Sequence, residues 1–206
     1  MILMRRMSCL ILVSLAATLA GACGSGRPIH YYTMELPPAP GPSTSVYPVT
    51  VLVGRIDAPE ILQDEPIVYR SGPNEIGTYA YHQWAVPPAK MVRDLLIRRL
   101  RASGKYRSVD ELGSVVEGDY LLHGKLYDFE EVDSGSIEAL VSMEFELFDR
   151  RNRKAVWTHY YSQSIPVEGK EISDVVSALN RNLAQGLAEV AAGLDAYFSA
   201  NVHGRP

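Results

Sequence analysis

Histidine has the widest chemical range of the residue types in this sequence, because its imidazole can bind metal or move protons near neutral pH. The chain contains five histidines, and His82, His123 and His159 each fall within a predicted β-strand. Three strand histidines could meet in space as a metal site, but no second histidine or carboxylate lies at a local ligand spacing such as HExxH. We therefore predict solvent-facing or capping histidines, with no metal site and no cofactor.

The other reactive groups form no catalytic pattern either. The sequence lacks the GxSxG elbow, the GxxxxGK[ST] phosphate loop and the GxGxxG fingerprint. Glu130, Glu131 and Asp133 could bind a cation, but three acids at a strand end more often form a solvated turn. No catalytic residue is predicted, and the protein is not expected to be an enzyme.

Basic and aromatic residues give weaker signals. Arg98, Arg99 and Arg101 crowd the end of a predicted helix, where they could meet lipid phosphates or form a solvated face, and the solvated face is preferred. The twelve tyrosines could line an apolar groove or an oligomer interface, but sheet packing is preferred for each one. The formal net charge of −4 provides no basic field that would attract nucleic acid.

Cys23 ends the run Leu19-Ala-Gly-Ala-Cys23, which resembles the lipobox of bacterial lipoproteins. A basic segment at residues 1–6 and an apolar run at residues 7–19 precede it. The apolar run is too short to span a bilayer, which takes about 20 residues, and it is typical of a secretory signal. We predict a signal peptide at residues 1–22; the alternative is an ordinary secretory signal that leaves Cys23 as a free thiol.

The lipobox resemblance implies that the Cys23 thiol carries two acyl chains such as palmitate, that the chain is cut before Cys23, and that the new amine is acylated. Residues 23–28 would then form a lipidated tether. Gly24 follows the cysteine, where an aspartate commonly signals retention in the inner membrane of Gram-negative cells. By this resemblance the protein is expected on the outer membrane, facing the periplasm.

The chain that remains after residue 22 has an ordinary composition. It contains 184 residues, with 18 basic and 24 acidic side chains, and 47% of the whole sequence is hydrophobic. This length and composition predict one folded domain at residues 29–200. Residues 201–206 are expected to form a flexible tail.

Alternation of apolar and polar residues predicts most of the strands. Valines alternate in residues 47–56, and a long strand is predicted at residues 119–132 with a bulge near Leu126. Residues 137–147 and 155–165 continue it as an antiparallel meander. Shorter strands are predicted at residues 29–34, 66–70 and 78–84.

Two helices complete the predicted fold. Pro87-Pro88 opens the first helix and Gly104 stops it. Ser173 is expected to cap a long last helix with one apolar stripe, in which Gly186 and Gly193 allow close packing on the sheet. The order of elements predicts an α+β fold, a mostly antiparallel sheet with two main helices packed on one face.

Several short motifs in a fixed order resemble the ABC-type transport auxiliary lipoprotein family. The resemblance covers about residues 29–197. The motifs are Tyr31-Tyr-Thr-Met34, Arg55-Ile-Asp-Ala-Pro59, Trp84-Ala-Val-Pro-Pro88, Gly118-Asp-Tyr120 and Ala155-Val-Trp157. The family resemblance implies a non-enzymatic protein that accompanies MCE-domain proteins and ABC transporter components, which move lipids between the inner and outer membranes.

By that resemblance the protein would sit on the outer membrane and dock the periplasmic end of the MCE assembly. Two other roles stay open at this point: a lipid-binding carrier, and a periplasmic envelope-assembly lipoprotein of another kind. A carrier needs a cavity of several hundred Å³ that buries acyl chains. A homo-oligomer is also possible.

Overall fold

The computed structural model describes residues 27–37 and 47–201. The predicted signal peptide, Cys23 and residues 202–206 of the predicted tail lie outside the described residues. Within them the strands are β1 (His30–Tyr32), β2 (Tyr47–Asp57), β3 (Pro66–Gly72), β4 (Glu75–Trp84), β5 (Tyr106–Glu111), β6 (Tyr120–Asp133), β7 (Ile137–Asp149) and β8 (Lys154–Pro166). The α-helices are α1 (Pro88–Ala102) and α2 (Ile172–Asn201), and a short 3-10 helix spans Glu60–Leu62.

The strands form one eight-stranded sheet in the order β1-β4-β3-β6-β2-β5, and β7 and β8 extend it from the other side of β6. The long pairings, β6 with β7 and β7 with β8, are antiparallel, as is β3 with β4. Shorter parallel pairings join β1 to β4, β3 to β6, and β2 to both β5 and β6. The predicted α+β class is confirmed, and the sheet is mixed with antiparallel long ladders.

Both helices pack on one face of the sheet. Helix α1 contacts β2 and β5, α2 contacts β7 and β8, and the two helices contact each other. The apolar side chains of α1 are buried, and so is the predicted apolar stripe of α2. The space between helices and sheet is filled by large side chains with almost no exposure, among them Trp84, Phe129, Phe145 and Phe198.

The glycines of α2 let the helix approach the sheet closely, as predicted. A Cβ at Gly186 would lie 2.4 Å from Met143 Cε and 2.8 Å from the Tyr161 ring. A Cβ at Gly193 would lie 2.7 Å from the ring of Trp157. A side chain at either position would therefore displace its neighbours on β7 or β8.

Two local predictions have different outcomes. The register between β6 and β7 shifts between Leu126 and Asp128, which confirms the bulge predicted near Leu126. The predicted cap at Ser173 is wrong, because α2 already begins at Ile172. The carboxylate of Asp174 instead accepts a hydrogen bond from the Glu171 amide at 3.0 Å, and this contact holds the first turn.

Strand β5 was not predicted from the sequence. It pairs in parallel with β2 at the end of the sheet order. Arg101, at the end of α1, donates to the Val109 carbonyl at 2.6 Å and forms an ion pair with Asp110. One arginine of the predicted solvated run therefore ties the helix end to this edge strand.

Candidate functional site at the tether edge

The N-terminal segment enters the fold at one edge of the sheet. Arg27 is the first described residue, and its guanidinium carbon lies 5.7 Å from the centroid of the Tyr81 ring. Strand β1 follows and pairs in parallel with β4, with His30 opposite His82. Because β1 ends the strand order, the segment that carries Cys23 joins the domain at a sheet edge. We call residues 27–32, together with the part of β4 that pairs with β1, the tether edge.

Within the tether edge, aromatic side chains hold β1 against β4. The Tyr32 hydroxyl hydrogen-bonds with His82 Nδ1 at 3.0 Å. The His30 ring stacks on the His82 ring with centroids 5.2 Å apart, and the Tyr79 ring meets the His82 ring edge-on at 5.9 Å. His82 therefore serves as a packed and hydrogen-bonded link between β1 and β4.

Tyr79 continues this network toward the centre of the sheet. Its hydroxyl donates to Glu131 Oε2 on β6 at 2.9 Å, and its ring packs against the Tyr69 ring at 4.9 Å. Burial and the bond to the Glu131 carboxylate both raise the pKa of Tyr79, so this phenol stays protonated and keeps its role as donor. The tether edge is thus linked through side chains to the middle strand of the sheet.

Glu130 and Glu131 are buried, so the solvated turn predicted for them is wrong; of the three acids only Asp133 is exposed, at the end of β6. Burial raises the pKa of both glutamates, and hydrogen bonds oppose that rise. Glu130 accepts from Arg70 Nε at 2.6 Å, whereas Glu131 accepts from Tyr79. The two acids act as internal acceptors that fix β3 and β4 against β6.

The structure keeps the three strand histidines apart. His123 on β6 meets the Phe148 ring edge-on at 5.3 Å, and His159 on β8 stacks on Trp157 at 5.8 Å. His82 lies on β4, at the tether edge. Across residues 27–37 and 47–201, no group of three or more His, Cys, Asp or Glu side chains is placed to hold a metal ion.

A basic cleft of about 730 Å³ opens at the start of α1. Its cations include Lys90 and Arg93, which both pair with Asp94, at 2.6 and 3.2 Å. A second hollow of about 300 Å³ lies on the helix-free face of the sheet, where Lys125, Glu144 and Phe148 meet. Both hollows are open to solvent and carry charges of both signs.

Six of the twelve tyrosines illustrate two different surroundings. Tyr47, Tyr106 and Tyr120 pack around Phe198 at the end of α2, which is the sheet packing that we expected. Tyr31, Tyr81 and Tyr160 are instead exposed on the strand edges and faces. Strand alternation separates some of these tyrosines, since exposed Tyr160 adjoins buried Tyr161 on β8.

The fold also matches proteins of known structure. A protein from Xanthomonas campestris, XCC0632 of the DUF330 family, superposes with a TM-score of 0.73 at 23% identity, over 80% of this chain and 93% of that one. An uncharacterized protein superposes with a TM-score of 0.65 at 16% identity, over 82% of this chain and 99% of that one. These likenesses establish a shared α+β fold. No curated protein matches the sequence.

The family model of the ABC-type transport auxiliary lipoprotein component matches residues 32–191. The match spans the domain from β1 to α2, so the chain belongs to this family of auxiliary transport components. The resemblance noted in the sequence is confirmed. None of the helices in the described parts of the chain is long and apolar enough to cross a membrane.

Proposed function

We propose that this protein is a periplasmic lipoprotein of the outer membrane, anchored through acylated Cys23. It serves without catalysis as the auxiliary component of an MCE and ABC-type system that moves lipids between membranes. The observation that carries the proposal is the family match, which begins at Tyr32, nine residues after the lipobox cysteine. The domain therefore starts almost at the anchor and would be held close to the membrane.

The packing of the domain favours a docking role over a lipid carrier. Acyl chains would need an apolar cavity between sheet and helices, but that space is filled by Trp84, Phe129, Phe145 and Phe198. The surface clefts are open and lined by charges. A rigid domain on a short tether suits a protein that receives a transporter subunit and holds it at the membrane.

The anchor is tested by Cys23→Ser with Cys9→Ser as the matched control. Because Cys9 lies within the predicted signal, its loss should leave processing unchanged. We expect Cys23→Ser to abolish labelling by radioactive palmitate and to remove the protein from outer-membrane fractions. If Cys23→Ser still fractionates with the outer membrane after normal cutting, the anchor proposal is wrong.

The transport role is tested by photo-crosslinking in cells. A crosslinking amino acid replaces Tyr160 on the helix-free face or Val115 in the loop before β6, both of which are exposed. Leu194, which is buried, serves as the control site. Capture of an MCE-domain protein or a transporter subunit supports the role. Capture of cell-wall synthesis proteins alone would favour the other kind of envelope lipoprotein.

A further inference from the structure

Three apolar or aromatic side chains are exposed side by side at the tether edge. Ile29 is 44% exposed, Tyr31 is 63% exposed and Tyr81 is 41% exposed. The register that pairs His30 with His82 places Ile29 beside Tyr81, and Arg27 lies over the Tyr81 ring. We call Arg27, Ile29, Tyr31 and Tyr81 the tether patch.

The length of the tether limits how far this patch can stand from the anchor. Three residues, 24–26, separate Cys23 from Arg27. A fully extended chain spans at most about 3.6 Å per residue, so Arg27 lies within roughly 14 Å of an acylated Cys23. The headgroup layers add about 10–15 Å in total to the hydrocarbon core of a bilayer. The patch is therefore within reach of the headgroups.

The chemistry of the patch matches that layer. Tyrosine is enriched at membrane interfaces, where its ring meets acyl chains and its hydroxyl meets water. Arginine is attracted to anionic headgroups, and isoleucine favours the acyl boundary. Another protein strand is a poor occupant, because β1 has only three residues and offers too short an edge for pairing.

We propose that the tether patch rests in the headgroup layer of the membrane that holds the Cys23 lipid, so that the domain stands in one orientation with β1 toward the bilayer. The inference rests on the proposed acylation of Cys23. In this orientation β8 lies at the far edge, five strand spacings from β1, or about 24 Å across the sheet.

Fluorescence quenching by brominated phospholipids tests this orientation. Tyr31→Trp reports on the tether patch, and Tyr160→Trp on β8 is the matched control, because Tyr160 is 60% exposed. The full acylated protein is reconstituted into vesicles of phosphatidylethanolamine and phosphatidylglycerol, with and without bromine. The unchanged protein supplies the background of its own two tryptophans.

We expect bromine to remove emission from Tyr31→Trp well beyond that background, and to leave Tyr160→Trp at background. Equal emission from Tyr31→Trp in both kinds of vesicle would overturn the inference. A blue-shifted emission that bromine does not quench would also overturn it, since protein would then cover the patch. If Tyr31→Trp fails to fold, Ile29→Trp makes the same measurement.

Mass spectrometry of the same samples separates the two proposals. If the protein is acylated but its Tyr31→Trp emission is not quenched, the proposed anchor stands and the proposed orientation is wrong. A protein without acyl chains on Cys23 overturns the proposed anchor, and the orientation with it. Quenching of Tyr160→Trp to the same extent as Tyr31→Trp would overturn the orientation with β1 toward the bilayer.

Discussion

Asn182 is the one polar residue in the buried stripe of α2 whose loss should be costly. Its side-chain nitrogen donates to the carbonyl of Ala139 on β7 at 2.9 Å and to that of Gln163 on β8 at 2.8 Å. Its side-chain oxygen accepts from the Tyr161 hydroxyl at 2.6 Å. Asn182 has no exposed surface, and these bonds join the helix to two strands at once.

Asn182→Leu keeps the number and branching of the side chain's heavy atoms and removes these three hydrogen bonds. A hydrogen bond contributes about 0.5–1.5 kcal/mol net, more when its loss leaves a buried partner unsatisfied. The Tyr161 hydroxyl retains a second acceptor, the Asn182 carbonyl at 3.1 Å, which limits the loss. We therefore expect the free energy of unfolding to fall by about 2–4 kcal/mol. The melting temperature should fall by roughly 4–16 °C.

Urea unfolding of the mature chain carrying Cys23→Ser measures this change, and Asn180→Leu is the control. Asn180 lies two residues away on α2 and accepts from the Glu35 amide at 2.9 Å in an exposed contact, so its loss should cost under about 1 kcal/mol. In a double-mutant cycle with Tyr161→Phe, the two costs should be less than additive by about 1 kcal/mol. An Asn182→Leu protein as stable as the parent would refute the reasoning.

Two glycines and one buried acid give further measurable expectations. Gly186→Ala should lower stability by about 1–3 kcal/mol, because its methyl group meets the Tyr161 ring inside the core. Gly193→Ala should change stability by less than about 1 kcal/mol, since Trp157 is only half-buried and its ring can shift. Thermal melts in which Gly193→Ala loses more stability than Gly186→Ala would contradict this. Burial raises the pKa of Glu131, so its contribution to stability is lost as pH rises through that raised pKa. The stability of Glu131→Gln relative to the parent should therefore increase as the pH rises from about 4 to about 7. A difference in melting temperature between the two proteins that is the same at both pH values would count against this.

The long elements could be predicted because their signals are local. Residues of β7 alternate between the helix side and the open face, and every second side chain from Ala139 to Leu147 is buried. The leucines of α2 recur at helical spacing and are buried from Leu179 to Leu194. In both elements one buried face sets the periodicity, so the sequence carries the pattern without information about neighbours.

Strand β5 could not be predicted in the same way. Its sequence, Tyr106–Glu111, is mostly polar, and only Tyr106 and Val109 are buried. Its strand character comes from parallel pairing with β2, more than fifty residues earlier in the chain. Propensity is a poor guide for such an edge strand, because its stability depends on the neighbouring strand rather than on its own side chains.

The prediction that Glu130 and Glu131 are solvated was wrong for a related reason. Adjacent glutamates near a turn are typical of a solvated strand end. Their partners, Arg70 and Tyr79, come from a hairpin that lies beside β6 only after the parallel pairing of β3 has formed. An ion pair or hydrogen bond over such a sequence separation leaves no local spacing to detect, so only the topology reveals why these charges can be buried.

The same long-range contacts decide whether the tether edge can carry an anchor. Strand β1 alone would be weak, because it makes only three register pairs with β4. The chain is secured just beyond it: the Tyr32 carbonyl accepts from the Ala85 amide at 2.7 Å, and Met34 is buried in the core. Burying a methionine side chain contributes about 1.5–3 kcal/mol. A force on Cys23 is therefore resisted by core packing as well as by an edge strand, which is what a fixed orientation at the membrane requires.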